Sequence, residues 1–399
     1  MLQENLSETL NRIFERYSKA LKDKKVVIPL SGGLDSRLIG VMLKKYGVDN
    51  VICFSYGREG NRESEISKSV AEALGYEWHF IPYTESSWYN WWKEEEMKEY
   101  LDFSANFSSL PIVQDWPATR ELLSKKDLSN AVFVPGHTGD FISGGHIPEQ
   151  LQNDTGISWE DMVESIFSHH YNLWDWRVKQ PHLKEKFAKR IEKTINQLKT
   201  EKKLGKINGY QKWELENRQA KYIINSNKVY EFLGGDWMMP LWDYELIDFF
   251  ERVPLEGRYQ QKLYNSVQLE RIYTGQFDEL GRIPSDSLRA NDRRVTYNVK
   301  KNIKKVLDGV APEKLRNYYA LFNKQKDPLA RYGRYLGTYA STNKRLSLRN
   351  YTLGKYLEGV EEYPDNCEEI LEQNANRHLL RCSLNGLNAA YYLGTLLGD

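Results

Sequence analysis

A short stretch between an apolar run and a helix-like run contains the residues best suited to chemistry. The segment "VVIPLSGGLDSRLIG" gathers two glycines, two serines and an aspartate within six positions: Ser31, Gly32, Gly33, Asp35 and Ser36. Glycines let backbone N–H groups approach an anion closely, and serine hydroxyls donate further hydrogen bonds. An aspartate would repel phosphate unless it held a cation. The composition therefore indicates an anion-binding loop that works with magnesium.

The spacing of this loop differs from that of the P-loop of nucleoside triphosphatases, because the glycine separation and the lysine of that loop are missing. The context still favours a ligand loop, since the strand-like "KKVVIPL" precedes it and the helix-like "SRLIGVMLKKYG" follows it. A turn that opens a helix presents free N–H groups to anions. An ordinary tight turn before a capped helix is the plainer alternative, and the loop alone leaves it open.

Strand and helix patterns alternate through the first part of the chain. Apolar residues at helical spacing over residues 6–21 predict an amphipathic first helix, and a further helix is predicted near 63–74. Strands are predicted at "KKVVIPL", "NVICFSYG", "YEWHFIPY" and "AVFVP". This alternation predicts an α/β fold with a Rossmann-like parallel sheet and the glycine loop after its first strand. Pro29 falls in that strand, where proline is tolerated mainly at the end.

Beyond about residue 150 the strand patterns fade, and charged segments such as "HLKEKFAKRIEKTINQLKTEKK" favour helices. We expect residues 1–150 to form the α/β core. Residues 151–399 are expected to form a mostly helical part that packs on the core within the same domain and binds the acceptor.

Composition excludes several classes of protein. The 399 residues are 40% apolar, which suffices for a large core, and their formal charge of +1 argues against general attraction to nucleic acid. No apolar stretch reaches the roughly 20 residues of a membrane span, and the N-terminus lacks the apolar core of a signal peptide, so we expect a cytoplasmic protein. The three cysteines form no CxxC pair, which argues against a structural zinc site.

Three segments together resemble a known family. "SGGLDS" is similar to the SGGxDS signature of the PP-loop ATP pyrophosphatases, and "VFVPGHTGDFISGGH" resembles the "SGEGSDE" segment of asparagine synthetases. The stretch "NSNKVYEFLGGDWMMPLWDYELIDFFERVP" resembles their "DRxSMAxSxEARxPFLD" segment. The chain is identified as an asparagine-synthetase-like adenylating domain, similar also to the β-lactam synthetases.

The resemblance implies ATP and Mg²⁺, with Asp35 and Asp140 holding the metal. It implies that a carboxylate attacks the α-phosphate, that pyrophosphate leaves, and that ammonia or an amine then converts the acyl-adenylate into an amide and AMP. The remaining nucleotide contacts implied are Leu30 and Tyr56 for adenosine, the PP-loop residues Ser31, Gly32, Gly33 and Ser36 for pyrophosphate, and Gly136.

The chain also departs from the family pattern. Leu2 stands where the glutamine-hydrolysing enzymes have their nucleophile, so we expect the nitrogen to come from free ammonia, a separate glutaminase or an amine substrate. Phe141 replaces a family glutamate, and "RIPSDSLRANDRRV" lacks the lysine of the R-x-K motif. Arg293, or Arg294 beside it, is expected to supply that positive charge to the departing pyrophosphate.

His137 aligns with the catalytic glutamate of "SGEGSDE", and Asp236 aligns with the second acid of the β-lactam synthetases. A protonated amine cannot attack an acyl-adenylate, and imidazole titrates near neutral pH. We therefore expect His137 to act as the base and Asp236 to orient it. The alternative, that His137 contacts substrate or stabilises its own loop, stays open.

The acceptor is not specified by the sequence. By resemblance to lone synthetase domains of surface-polysaccharide and natural-product pathways, we expect a small-molecule, glycan or peptide carboxylate such as a uronic acid. Residues 289–355 carry 17 Lys and Arg against 4 Asp and Glu, a net of +13. A solvated face is the favoured interpretation, with an ATP cradle or an anionic-acceptor dock as alternatives. A PP-loop tRNA-modifying enzyme and a catalytically inactive nucleotide-binding regulator also remain open.

Overall fold

A computed structural model describes residues 1–57, 59–84, 87, 90–91, 94–105, 109, 111–126, 128, 130–152, 158–170, 181–195 and 203–285. Five parallel strands form one sheet in the order β3-β2-β1-β4-β5. Their bounds are Val26–Pro29 (β1), Val51–Gly57 (β2), Glu77–Pro82 (β3), Val132–Phe133 (β4) and Asp236–Trp237 (β5). The predicted α/β fold with a Rossmann-like parallel sheet is confirmed, since this strand order is that of a doubly wound sheet.

The central strand β1 is apolar because both of its faces are covered. Val26, Val27 and Ile28 are fully buried, as expected for a strand between two helical layers. Pro29 is the last residue of β1, and the ladder continues through the next N–H, since Leu30 N donates to Phe54 O at 2.8 Å. The expected position of proline at the strand's end is confirmed.

Helices surround the sheet. Those of the α type are α1 (Leu2–Leu21), α2 (Leu34–Lys45), α3 (Arg62–Leu74), α4 (Glu95–Ala105), α5 (Trp116–Lys125), α6 (Gly139–Ile142), α7 (Glu149–Gln152), α8 (Trp159–His170), α9 (Pro181–Ile195), α10 (Lys203–Glu214), α11 (Lys228–Phe232), α12 (Tyr244–Arg252), α13 (Leu255–Arg258), α14 (Lys262–Val267) and α15 (Asp278–Arg282). Those of the 3₁₀ type are Ile224–Asn227, Pro240–Trp242, Tyr259–Gln261 and Gly275–Phe277, and those of the π type are Leu215–Ile223 and Gln268–Ile272. The predicted helices over 6–21 and near 63–74 correspond to α1 and α3.

The boundary expected near residue 150 does not divide the sheet. Strand β5 lies far beyond it and pairs with β4, with Asp236 opposite Val132. The largest core cluster likewise joins α1 and α2 to α12 and α14, because apolar residues of all four helices pack together. A second cluster unites α8, α9 and α10. The two-part division at residue 150 stays a prediction about organisation.

A buried arginine ties the helix after the glycine loop to the end of the described chain. Arg37 is fully buried in α2 and donates to three carbonyl oxygens, those of Leu280, Ile283 and Pro284, each at 2.8 Å. These carbonyls lie at the C-terminal end of α15, where backbone acceptors have no partner within the helix. One side chain thus closes a helix end and fixes it against α2.

Replacing Arg37 with methionine should therefore lower the free energy of unfolding by about 2–4 kcal/mol, because three carbonyls lose a charged donor. The control is Arg252→Met on the surface of α12, where Arg252 pairs with Asp248 and is 76% exposed. That change should cost less than about 1 kcal/mol. Denaturant unfolding measures both values. Equal losses in the two variants would contradict the anchoring role of Arg37.

Candidate functional site

The strand order reverses between β1 and β4, and a cleft of about 630 Å³ opens there at the carboxyl edge of the sheet. Ligands of doubly wound folds bind at such a switch point, because the loops after the two strands part from one another. The loop after β1 is the glycine loop, and the loop after β4 is the "GHTGD" segment. Topology therefore brings together two segments that lie about a hundred residues apart.

The glycine loop, residues 31–36, is held by its own hydroxyls. Ser36 Oγ accepts from Ser31 N at 3.0 Å and lies 3.1 Å from Ser31 Oγ, while Ser31 Oγ accepts from Gly33 N at 3.2 Å. Gly33 has extended backbone angles and immediately precedes α2, and no side chain caps that helix. The N–H groups of the first turn of α2 therefore remain available at the cleft, as an anion site requires.

The two loops touch through their backbones. A Cβ at Gly136 would lie 2.6 Å from Ser36 N, and a Cβ at Gly139 would lie 2.8 Å from Asp35 Oδ1. Neither distance leaves room for a side chain. Between them, Thr138 has a left-handed backbone with φ of 74°, and its hydroxyl donates to Leu241 O at 3.2 Å. These contacts fix the loop after β4 against the start of α2.

Asp35 and Asp140 meet where the loops touch. Burial, followed by the charge of Asp140, raises the pKa of Asp35 to about 7, although the Tyr264 hydroxyl and the Asp140 backbone N–H favour its charged form. Two carboxylates without a cation between them repel each other, so the pair suits a hard divalent ion. Within the described residues no group of three or more acidic, histidine or cysteine ligands is assembled. Two carboxylates complemented by phosphate oxygens are the usual protein share of a Mg²⁺ site.

His146 links Asp140 to the helical layer, a contact that the sequence analysis did not anticipate. Its Nε2 lies 2.7 Å from Asp140 Oδ2, and its Nδ1 makes a short hydrogen bond with Glu214, whose side chain is 1% exposed. Arg218 NH1 also contacts Glu214, at 3.2 Å. Burial lowers the pKa of His146, but both carboxylates outweigh it and raise the pKa to about 10. A charged imidazole therefore bridges the two acids and orients Asp140.

His137 and Asp115 lie on another part of the cleft wall. His137 Nδ1 is 3.4 Å from Ser226 Oγ, and Asp115 accepts a short hydrogen bond from the Tyr56 hydroxyl. Burial lowers the pKa of His137, while the charges of Asp115 and then Asp140 oppose that effect. Asp115 and His137 are thus electrostatic neighbours. Nothing in the sequence patterns singled out Asp115.

The structure places Asp236, the expected partner of His137, outside the cleft wall. Asp236 begins β5 level with Val132, is exposed, and is absent from the cleft wall. His137 lies five residues further along the parallel neighbour, past the carboxyl end of β4. The register of β4 and β5 therefore separates His137 from Asp236, which the family alignment suggested as partners.

The other predicted site residues fall into three groups. The cleft wall includes most of them, namely Leu30, Ser31, Gly33, Asp35, Ser36, Tyr56, Gly136, His137 and Asp140. Gly32 instead abuts α3, since its Cβ would lie 3.2 Å from Glu63 Cγ. Arg293, Arg294 and the basic region 289–355 lie outside the described residues.

Comparison with known proteins decides the family. The sequence pattern of asparagine synthases matches residues 10–270. The chain belongs to the asparagine synthase family. It is 36% identical over 81 residues to a probable glutamine-hydrolyzing asparagine synthetase of Acanthamoeba polyphaga mimivirus, a stretch that spans 20% of this chain and 15% of that one.

A solved structure of the NH3-dependent NAD synthetase from Campylobacter jejuni, in complex with nitrate, aligns with 65% of this chain and 96% of its own. The identity is 15% and the TM-score 0.23, so this likeness has no bearing on function. Members of the asparagine synthase family are ATP-dependent ligases that form amides. None of the described helices is long and apolar enough to cross a membrane.

The bridge through His146 predicts a non-additive effect on stability. His146→Ala should cost about 3–5 kcal/mol, because it leaves the carboxylate of Glu214 buried with the longer contacts of Arg218 and Gln219 as its remaining partners. In His146→Ala/Glu214→Gln that buried charge is gone, so the double variant should be more stable than the sum of the single changes by at least about 1 kcal/mol. Urea unfolding of all four proteins measures this coupling energy. Strict additivity would contradict the bridge.

Proposed function

We propose that this protein is an AMP-forming carbon–nitrogen ligase that adenylates a carboxylate and passes it to ammonia or an amine. The observation that carries the proposal is the contact of the glycine loop with "GHTGD", which joins two carboxylates to an open helix N-terminus in a chain of the asparagine synthase family. Acyl transfer to nitrogen needs an activated carboxyl carbon, and a phosphoanhydride provides the leaving group for that activation.

Nucleotide contacts are proposed from the cleft wall. Leu30 and Tyr56 would flank the adenosine, and the backbone and hydroxyls of Ser31, Gly33 and Ser36 would receive the pyrophosphate, with Gly136 close by. Gly32 would act indirectly, by allowing α3 to approach the loop. Mg²⁺ held by Asp35 and Asp140 would neutralise phosphate oxygens and stabilise the charge on the departing pyrophosphate.

The proposed reaction also needs a positively charged side chain near the α-phosphate and the departing pyrophosphate. The described cleft wall contains no Lys or Arg. We keep Arg293 as the residue proposed to act on the α-phosphate and the leaving group, in place of the lysine of the family pattern. Arg294 is the second candidate for the same role.

His137 is proposed as the base that removes a proton from the nitrogen nucleophile. Burial lowers the pKa of His137 and favours the neutral imidazole, which is the form that accepts a proton. The carboxylate substrate is proposed to be a small molecule or glycan acid of a polysaccharide or natural-product pathway. The nitrogen would be free ammonia, ammonia from a separate glutaminase, or the amine of a second substrate.

The direct test of this function uses the purified protein with ATP, Mg²⁺ and a panel of carboxylates, including L-aspartate, glucuronate and short peptides. Carboxylate-dependent release of pyrophosphate, followed by amine-dependent release of AMP in equal amount, is the expected result. ADP and phosphate as products would contradict the AMP-forming reaction, and ATP binding without turnover would favour the inactive regulator.

Asp35→Asn is expected to have opposite effects on stability and activity. It removes the repulsion between Asp35 and Asp140, so the metal-free protein should be at least as stable as the parent. It also removes half of the proposed cation site, so ATP turnover should fall at least about 100-fold and the thermal stabilisation by Mg²⁺ with ATP should disappear. Asp248→Asn on the surface of α12 is the matched control. Full turnover by folded Asp35→Asn would refute the metal assignment.

A further inference from the structure

We propose that Asp115 is the residue that binds the nitrogen nucleophile in its ammonium form and holds it beside His137. This inference rests on the proposed function. It replaces the exposed Asp236 with an acid in the cleft, on an element that no family motif singled out. It also gives the nucleophile a chemical class: ammonium itself or a primary ammonium group.

The first observation is that the Asp115 side chain does not cap the helix that it precedes. It is the N-cap residue of α5, where aspartate usually accepts from the N–H groups of the first turn, yet its side chain makes no capping hydrogen bond. The carboxylate instead lines the cleft and accepts from the Tyr56 hydroxyl on β2. The side chain of Asp115 therefore does not stabilise the start of α5, and its carboxylate faces the cleft instead.

The second observation is the rigid support behind it. The Tyr56 ring stacks on Tyr83 with centroids 5.0 Å apart, and the Tyr83 hydroxyl donates to Gln114 O at 2.6 Å while it accepts from Ala118 N at 3.1 Å. The residues on either side of Asp115 are thereby fixed to β3. A binding group on a braced loop loses little entropy when its ligand arrives.

The third observation is that Asp115 lacks a cationic partner among the described residues, since the charged His146 of the cleft wall pairs with Asp140 and Glu214. In the part of the chain that the structure describes, Asp115 forms no ion pair, and the cleft wall includes the acids Asp35, Glu63, Asp115 and Asp140 without Lys or Arg. Mg²⁺ would account for Asp35 and Asp140. A half-buried carboxylate is stabilised by an opposite charge, and an ammonium group supplies that charge together with hydrogen-bond donors.

The fourth observation is the position of His137. Asp115 and His137 influence each other's pKa, yet no hydrogen bond joins them in the described structure. Besides Ser226 at 3.4 Å, the imidazole ring of His137 has no hydrogen-bond partner among the described residues, which leaves its Nε2 available. The groups that face His137 are Asp115 before α5, Asp140 on α6 and Ser226 in the 3₁₀ turn before α11. The proposed ammonium group would lie between this acid and this base, which share the cleft wall.

The chemical step then balances. The ammonium group, held by Asp115, transfers one proton to neutral His137 and becomes an amine with a free electron pair. That pair attacks the acyl carbon of the adenylate, the C–O bond to the phosphate breaks, and AMP leaves with its electrons. The amide nitrogen releases its second proton to solvent. Burial raises the pKa of Asp115, whereas the Tyr56 hydroxyl and the bound ammonium group favour its charged form, so Asp115 binds and positions the nucleophile but does not itself transfer a proton.

The first experiment needs no substrate. NMR titration of the His137 ring, assigned with His137→Gln, should show that Asp115→Asn lowers the pKa of His137 by about 1, because an opposite charge nearby favours the imidazolium. Asp236→Asn is the matched control and should leave it unchanged. A lower pKa in Asp236→Asn with none in Asp115→Asn would overturn the proposal.

The second experiment separates binding of the nucleophile from adenylation of the carboxylate. It uses a carboxylate of the panel that supports pyrophosphate release in the parent protein. Asp115→Asn should release pyrophosphate within about 3-fold of the parent, but its amide formation from ammonium chloride should fall about 100-fold, mostly through KM. Hydroxylamine, a neutral nucleophile at pH 7.5, should trap the adenylate equally well in both proteins. Equal losses with both nucleophiles, or none with either, would overturn the role of Asp115.

Two further results distinguish a failure of the proposed function from a failure of the role proposed for Asp115. If the parent releases no pyrophosphate with any carboxylate, the proposed function fails, while the NMR titration still judges the pairing of Asp115 with His137. If Asp115→Asn does not fold, Tyr56→Phe preserves the stacking on Tyr83 and loosens the carboxylate. That variant should raise the KM for ammonium several-fold, and an unchanged KM would contradict the proposal.

Discussion

The carboxylates of Asp35 and Asp140 repel each other at the meeting point of two loops, and much of the surrounding structure offsets that repulsion. The loops can approach because Gly136 and Gly139 have no side chains to keep them apart. Once there, Asp140 gains a hydrogen bond to His146, and the charge of His146 also favours the ionised form of Asp35. A site prepared in this way would bind the proposed Mg²⁺ with little rearrangement, since the cost of assembling like charges is met during folding.

One helical run serves several parts of the cleft. From α10 the chain continues through a π-helical stretch and a 3₁₀ turn into α11, that is from residue 203 to residue 232. Glu214 at the first change of helix type meets His146, Ser226 in the 3₁₀ turn meets His137, and Tyr230 in α11 lines the cleft. The change in helical pitch alters which residues face the sheet, so one element can present three side chains to a curved wall. This arrangement ties the described helical segments between residues 203 and 232 to the cleft at the edge of the sheet.

The sheet and its loops could be predicted because local patterns determine them. Apolar runs marked four of the five strands, and the SGGLDS loop marked the edge where ligands bind. Strand β5 escaped detection because two residues, Asp236 and Trp237, carry no periodicity. Asp115 and His146 could not be found for another reason: each acquires its role from a partner that lies distant in the chain, and neither belongs to a motif that specifies such a partner. The alignment of Asp236 with a family acid matched the type of residue, but it could not give the register of β5 against β4.

Asp236 lies in an edge strand of the described sheet, where its charge affects strand pairing. Among the described strands, β3 and β5 form the two borders of the sheet, and such borders offer unpaired backbone groups to other chains. Strand β5 is two residues long and begins with an exposed charge, while β3 carries the exposed Glu77 and ends at Pro82, which has no N–H to donate. Short length, charge and proline all disfavour the addition of a foreign strand. Both edges of the described sheet thus carry features that disfavour edge-to-edge aggregation, and the exposed charge of Asp236 is one of them.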